Sequence, residues 1–347
     1  MLPLLLDCDP GIDDAVALCL AAGCPDVQLV GVTTVAGNHI LERTTRNARA
    51  VLALAGAAVP VTAGCDRPLL RQLCIAPEIH GETGLGNGPP PVSDVSSVPL
   101  LGGHAANRIV EVVRSRPGEV TLVATGPLTN VALALRLDPG LPDAVAGVVV
   151  MGGATTRGNT TPAAEFNIYV DPEAAAMVFA APWSVTMVGL DVTHQARCTP
   201  DHQRLLAATG PVGAYLAGLL DEYRSGGAGG EDPAMHDPVA MAAAIRPGLL
   251  RTEPAAVVVE TTGAATAGMT VVDFDAGSAA PAGVPVHRVG TTLDVEGFWA
   301  LLLDAVARLD GRPPDGRSSD GRSSDGRSSD GGEQRVADRV VERVADA

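Results

Sequence analysis

Short apolar, β-branched runs alternate with alanine-rich stretches of helical spacing along most of the chain, the pattern of an α/β protein whose mostly parallel sheet is covered by helices on both faces. The runs predict strands at Pro3–Leu6, Val27–Val35, Val59–Ala63, Val120–Ala124, Gly147–Met151 and Val185–Gly189. Between them, helices are predicted at Asp13–Ala22, Ile40–Ala55, His104–Arg114, Leu128–Leu137, Pro172–Ala180 and Asp237–Ala244. Several of these open on Asp, Asn or Pro, which suit a first helical turn. Arg67–Pro99 and the Gly-rich Ser225–Pro233 read as loops, the second a candidate mobile lid beside His236. In such folds ligands gather at the carboxyl ends of the strands. Here those positions are polar: Asp7 to Asp14, Gly37-Asn38-His39, Thr125 with Asn130, and Gly152 to Asn167.

With 347 residues, 46% of them hydrophobic, the chain can bury a substantial core. Its net charge of -16 argues against a nucleic-acid partner, which would need clustered basic side chains to displace counterions. All 24 basic residues are arginine, so phosphate binding by a P-loop lysine and Schiff-base catalysis are both excluded. Cys8, Cys19, Cys24, Cys65, Cys74 and Cys198 form no C-x-x-C pair, and several lie in apolar segments, so they read as reduced. Leu2–Leu6 is too short for a signal h-region, and no apolar run approaches the roughly 20 residues of a membrane span. A cytoplasmic protein is the expectation. From Gly316 the pentapeptide GRSSD occurs three times, followed by a charged segment with Val336, Val340 and Val344 at i,i+4 spacing. Residues 1–311 therefore read as the folded domain, and 312–347 as a low-complexity linker with a short helical tail.

The sharpest local signal is DCDPGIDDA, Asp7–Ala15, with four carboxylates around a Pro-Gly turn after an apolar strand. A helix N-cap and a solvated turn would account for one or two of them. Four like charges together call for a cation, and oxygen ligands without metal-spaced Cys or His point to Ca²⁺ or Mg²⁺ over Zn²⁺. In GNTTPAAEFN, the side chains of Asn159, Glu165 and Asn167 suit sugar hydroxyls, although each would also pass as an ordinary loop polar group. His236-Asp237-Pro238 opens a helix after the Gly-rich loop, where Asp237 alone would read as an N-cap.

Taken in order, DCDPGIDDA, VTTVAGN (Val32–Asn38), LVATGPLTN (Leu122–Asn130), VVVMGG with AEFN (Ala164–Asn167), MVGLDVTH (Met187–His194) and the HDP triplet resemble the inosine-uridine preferring nucleoside hydrolases. The resemblance runs from about residue 3 to 309 and stops short of the tail. It implies a Rossmann-like open mixed sheet in a single domain, assembled as a homodimer or homotetramer, and calcium-dependent cleavage of ribonucleosides to base and ribose. By position it gives Asp9, Asp14, Asp237 and the Thr125 carbonyl as Ca²⁺ ligands, completed by two ribose hydroxyls and a water. Asp13, Asn38, Asn159, Glu165 and Asn167 would hold the ribose, with His80, Tyr223 and His236 on the base side.

The chemistry of the residues agrees with those roles. N-riboside hydrolysis passes through an oxocarbenium-like state and needs an activated water, nearby negative charge and help for the departing base. Asp9 is the natural general base and His236 the candidate proton donor, because imidazole lies closest to the required pKa. A helix-terminal histidine bonded to backbone is the plain alternative for His236, as a helix-face tyrosine is for Tyr223. His39 and His194 stand near strand ends; His104, His202 and His287 read as surface or structural. Three other functions compete: a pyrimidine-restricted hydrolase, a non-catalytic calcium-dependent nucleoside binder, and a Mg²⁺ phosphotransferase with an aspartate nucleophile. The last lacks the Thr or Val expected after D-x-D and any lysine for phosphate.

Overall fold

The computed structural model describes residues 1–86, 88, 92, 94–226, 230–275 and 284–311. The repeat-bearing tail and its three spaced valines therefore lie outside the described residues. Among the described residues ten strands form one sheet: β1 Leu2–Cys8, β2 Val27–Thr34, β3 Val61–Ala63, β4 Leu100–Leu101, β5 Thr121–Ala124, β6 Gly147–Met151, β7 Val185–Val188, β8 Leu250–Val259, β9 Thr270–Asp273 and β10 Val286–Leu293. Their order across the sheet is β4-β3-β2-β1-β5-β6-β7-β10-β8-β9. From β4 to β10 every neighbouring pair is parallel, and β8 and β9 extend the edge in antiparallel fashion.

Burial on both faces explains why the central strands read as unbroken apolar runs. Leu4 and Leu6 pack into one hydrophobic cluster with helices Ile12–Gly23 and Val295–Leu309. Leu5, one residue out of phase, packs into the other with helices Ala105–Ser115, Thr129–Leu137 and Pro172–Ala180. The two-residue period of a strand sends alternate side chains to opposite faces, so a strand covered on both sides has no polar face to display.

The six predicted strands and six predicted helices are present, with ends shifted by at most two residues. The pattern did not reveal the helices Pro200–Ala207, Pro211–Ser225 and Val295–Leu309, or the strands β4 and β8 to β10. Within the predicted loop Arg67–Pro99 one short helix forms at Pro77–His80 and brings His80 inward.

Topology then fixes where a ligand can sit. After β1 the chain steps outward through β2, β3 and β4, and returns to β5 on the other side of β1. Two loops that leave in opposite directions open a crevice at the carboxyl ends of β1 and β5. Asp9 follows β1 at this point and Thr125 follows β5.

Candidate active site

Helix Ile12–Gly23 starts directly over the crevice, with Asp13 and Asp14 in its first turn, where negative charge meets the positive end of the helix dipole. Gly11 occupies the N-cap, and its N–H donates to Asp14 Oδ2 at 2.9 Å. Neither aspartate is the cap itself. Asp14 also accepts from Asn38 Nδ2 at 3.1 Å and, through Oδ1, from the Thr125 hydroxyl at 3.0 Å, tying the ends of β1, β2 and β5 together. Asp237, in the first turn of helix His236–Ile245, comes to the same place. Ligating atoms of Asp13, Asp14 and Asp237 lie within 4.8 Å of one another, and all three residues are buried.

Asp9 stands just outside that trio. Its Oδ2 accepts from the Asn38 N–H at 2.6 Å, while its Oδ1 is buried with no hydrogen-bond partner among the described residues. Backbone closes on both of its oxygens: a Cβ at Gly126 would lie 2.6 Å from Oδ1, and one at Gly37 would collide with Oδ2. One step deeper, Asp7 Oδ1 accepts from Thr33 Oγ1 at 2.6 Å and Asn130 Nδ2 at 2.8 Å.

Electrostatics mark the cluster as incomplete by itself. Burial pushes Asp7 and Asp13 up to about 7, with hydrogen bonds opposing the rise and, for Asp13, the neighbouring Asp14 adding to it. Asp9 and Asp237 are driven well above the carboxylate range by burial and then by their acidic neighbours, and burial raises Asp14 as well. None of the five pairs with an arginine among the described residues. Convergent oxygens, an orphaned carboxylate oxygen and no balancing cation are what a hard metal ion would resolve, so the residues fit one.

A cavity of about 530 Å³ opens above this floor. Asp13, Asn38, His80, Thr125, Asn159, Glu165, Asn167, Tyr223, His236 and Asp237 all line it. Asp9 and Asp14 lie beneath the lining, joined to it through Asn38 and Thr125. Asn167 Nδ2 donates to the Thr125 carbonyl at 2.7 Å and the Met151 carbonyl at 3.2 Å, leaving the Thr125 oxygen a second lone pair. Glu165 caps helix Phe166–Val170 by accepting from the N–H groups of Asn167 and Ile168, and also accepts from Gly153 N. Asn159 is exposed at the rim and accepts from Phe166 N–H at 3.0 Å.

On the far wall His80 Nδ1 accepts from Ile12 N–H at 3.1 Å, and its ring lies 6.1 Å from that of Tyr223. Burial lowers His80 to about 4. His236 Nδ1 shares a hydrogen bond of 2.8 Å with Thr193 Oγ1, and its ring stands 5.5 Å edge-on to His194. Burial first, then the charges of His194, Arg197 and His80, lower His236 to about 3. That shift favours the neutral imidazole.

His194 lines the cavity, whereas His39 is taken up by accepting from Ile40 N–H. The other three histidines are structural: His104 caps a helix, His202 stacks on Trp299, and fully buried His287 links Val185 N–H to the Phe179 carbonyl. None of the six cysteines forms a disulfide. Sequence reasoning missed Arg197, Phe166, Met151 and Cys74 as lining residues. Arg197 stands two residues before Thr199-Pro200, a helix-start signal that would have placed it at a loop end.

The family model for inosine-uridine preferring nucleoside hydrolases matches residues 4–300, which include this entire site. The chain belongs to that family. An inosine-uridine preferring nucleoside hydrolase of Leishmania major is 46% identical over 311 residues, covering 88% of this chain and 98% of the relative. A pyrimidine-specific ribonucleoside hydrolase of Citrobacter koseri is 44% identical over 312 residues, with the same coverage. Among solved structures, a plant nucleoside hydrolase superposes with a TM-score of 0.81 at 34% identity, covering 88% of this chain and 98% of that one. This nucleoside hydrolase is thus an enzyme of N-glycosidic bond cleavage, with an acidic cluster able to hold a metal ion. No described helix is long and apolar enough to cross a membrane.

Proposed function

We propose that this hydrolase is calcium-dependent, that Asp9 is its general base, and that His236 assists the departing base. The observation that carries the reading is the buried, unbalanced acidic floor beneath a cavity lined by polar side chains. Asp9, Asp14, Asp237 and the Thr125 carbonyl are the residues that would hold Ca²⁺, with Asp13 beside them facing the ribose. Bound there, the ion would supply a template for water and sugar with modest Lewis acidity.

The chain's own groups account for the remaining work. Asp13, Asn38, Asn159, Glu165 and Asn167 engage the ribose and fix the anomeric carbon relative to Asp9. Asp9 accepts a proton from the attacking water as the C1–N bond breaks, and the surrounding carboxylates favour the positive charge developing on the sugar. At the other end the neutral imidazole of His236 donates a hydrogen bond to the base as it takes up negative charge, with Thr193 orienting the ring. His80 and Tyr223 flank the base. The same reading includes assembly as a homodimer or homotetramer and a catalytic domain that ends near residue 311.

Free ribose released from inosine, adenosine, guanosine, uridine and cytidine, without added phosphate, tests the proposal before and after stripping of Ca²⁺. Release that disappears with the metal and returns on adding it is the expected result. Tight nucleoside binding without release would favour a binding protein, and undiminished release after stripping would remove calcium from the mechanism.

A further inference from the structure

Arg197 is the one arginine among the described residues that line the cavity. It pairs with Ala234, two residues before His236, whose ring stands edge-on to that of His194 on the same wall. It therefore belongs to the end where the leaving base lies.

Its backbone is fixed from both sides. Arg197 and Ala234 form an antiparallel bridge, Cys198 N–H donates to the Pro233 carbonyl at 2.8 Å, and Met235 N–H donates to the Ala196 carbonyl at 2.9 Å. Only one corner of the guanidinium is spent: Nη1 donates to the Asp232 carbonyl at 2.9 Å and to Glu231 Oε2 at 3.2 Å. Nε and Nη2 have no hydrogen bond among the described residues. The ion pair is exposed, at 38% for Arg197 and 74% for Glu231, so it neither satisfies nor strongly holds the group. A planar fork of donors, anchored at one corner and set in a cavity wall, is built to meet an acceptor on a ligand.

Ribose hydroxyls are served at the acidic end, which leaves the base. A guanidinium can only donate, so it favours a carbonyl oxygen and is repelled by an amino group at the same position. Hypoxanthine and guanine offer O6 and N7 side by side, the edge that arginine recognises in DNA, and uracil offers O4. Adenine and cytosine carry an amino group instead. We propose that Arg197 reads the base carbonyl and makes this enzyme selective for inosine, guanosine and uridine over adenosine and cytidine. The assignment rests on the hydrolase reading above.

The test is kcat/KM for the native protein, Arg197→Gln and Glu231→Gln on inosine, adenosine, uridine, cytidine and p-nitrophenyl riboside. The native protein should prefer inosine to adenosine, and uridine to cytidine, by about tenfold or more. Arg197→Gln should collapse both ratios at least fivefold, and Glu231→Gln, which keeps the guanidinium, should preserve them. Equal losses on all five substrates in Arg197→Gln, or native ratios near unity, would overturn the assignment while leaving hydrolysis intact. A native protein inactive on every substrate, p-nitrophenyl riboside included, would instead overturn the hydrolase reading beneath it.

Discussion

Stripping calcium should make this protein less stable as pH rises, and the acidic floor sets the size of the effect. In the metal-free fold burial, with Asp14 beside it, lifts Asp13 from 3.8 to about 7. A folded-state pKa above the unfolded value gives stability that is complete below about pH 4 and is lost as pH climbs through 7. Each unit is about 1.4 kcal/mol, so Asp13 alone costs the metal-free fold about 4 kcal/mol at pH 8. For a domain of about 300 residues the unfolding entropy is near 0.6 kcal/mol/K, which converts that cost to about 6 °C in Tm. A cation beside Asp13 favours its ionised form and removes much of the penalty. Binding itself adds about 2.7 kcal/mol when Ca²⁺ is present at a hundredfold excess over Kd. Differential scanning calorimetry between pH 5 and 8, in a chelator and in excess Ca²⁺, reads both effects. The separation between the two Tm curves should widen with pH, by about 4 °C from pH 5 to pH 8. Groups remote from the metal titrate alike in both series and drop out of the difference. A calcium shift independent of pH, or larger at pH 5, would refute the placement of the ion among these carboxylates.

Two substitutions probe the chemistry. Asp9→Ala should abolish turnover while leaving circular dichroism and cooperative melting intact; retention of more than a few per cent of the native rate would remove Asp9 as the base. His236→Ala should impair inosine at least tenfold more than p-nitrophenyl riboside, whose leaving group needs little help, and equal losses on both in steady-state assays would assign His236 a structural role.

The strands legible in the sequence are those buried on both faces. Gly147–Met151 reads GVVVM, a short β-branched apolar run bounded by glycines. Strands β8 and β10 were hidden because they lie toward the antiparallel edge, half exposed. In β8, Pro254 and Glu253 interrupt the run, and in β10, Arg288 alternates with buried neighbours. Strand β4 is two residues long and leaves almost no pattern. The candidate site was legible where polar groups follow apolar strands, since chain order places those positions at one end of a parallel sheet. Charge state was less so. An imidazole that the sequence would put near neutrality is pushed toward its neutral form, first by burial and then by neighbours from other segments, Arg197 among them. The place of Arg197 in the cavity wall was hidden for a related reason: what brings it there is backbone pairing with the segment around Ala234, thirty-seven residues away in sequence.

Gly37 and Gly126 press on the two oxygens of Asp9 from either side, and that has a consequence for anyone who would rebuild this chemistry elsewhere. Grafting the aspartates onto a different sheet would reproduce the ligands and lose the slot, because any side chain at either glycine would turn the carboxylate out of place. The unit to transplant is three main-chain segments, the turns leaving β1, β2 and β5, held at their present spacing. For the same reason a library that varies only side chains around Asp9 explores little, and productive variation has to begin with the paths of those turns.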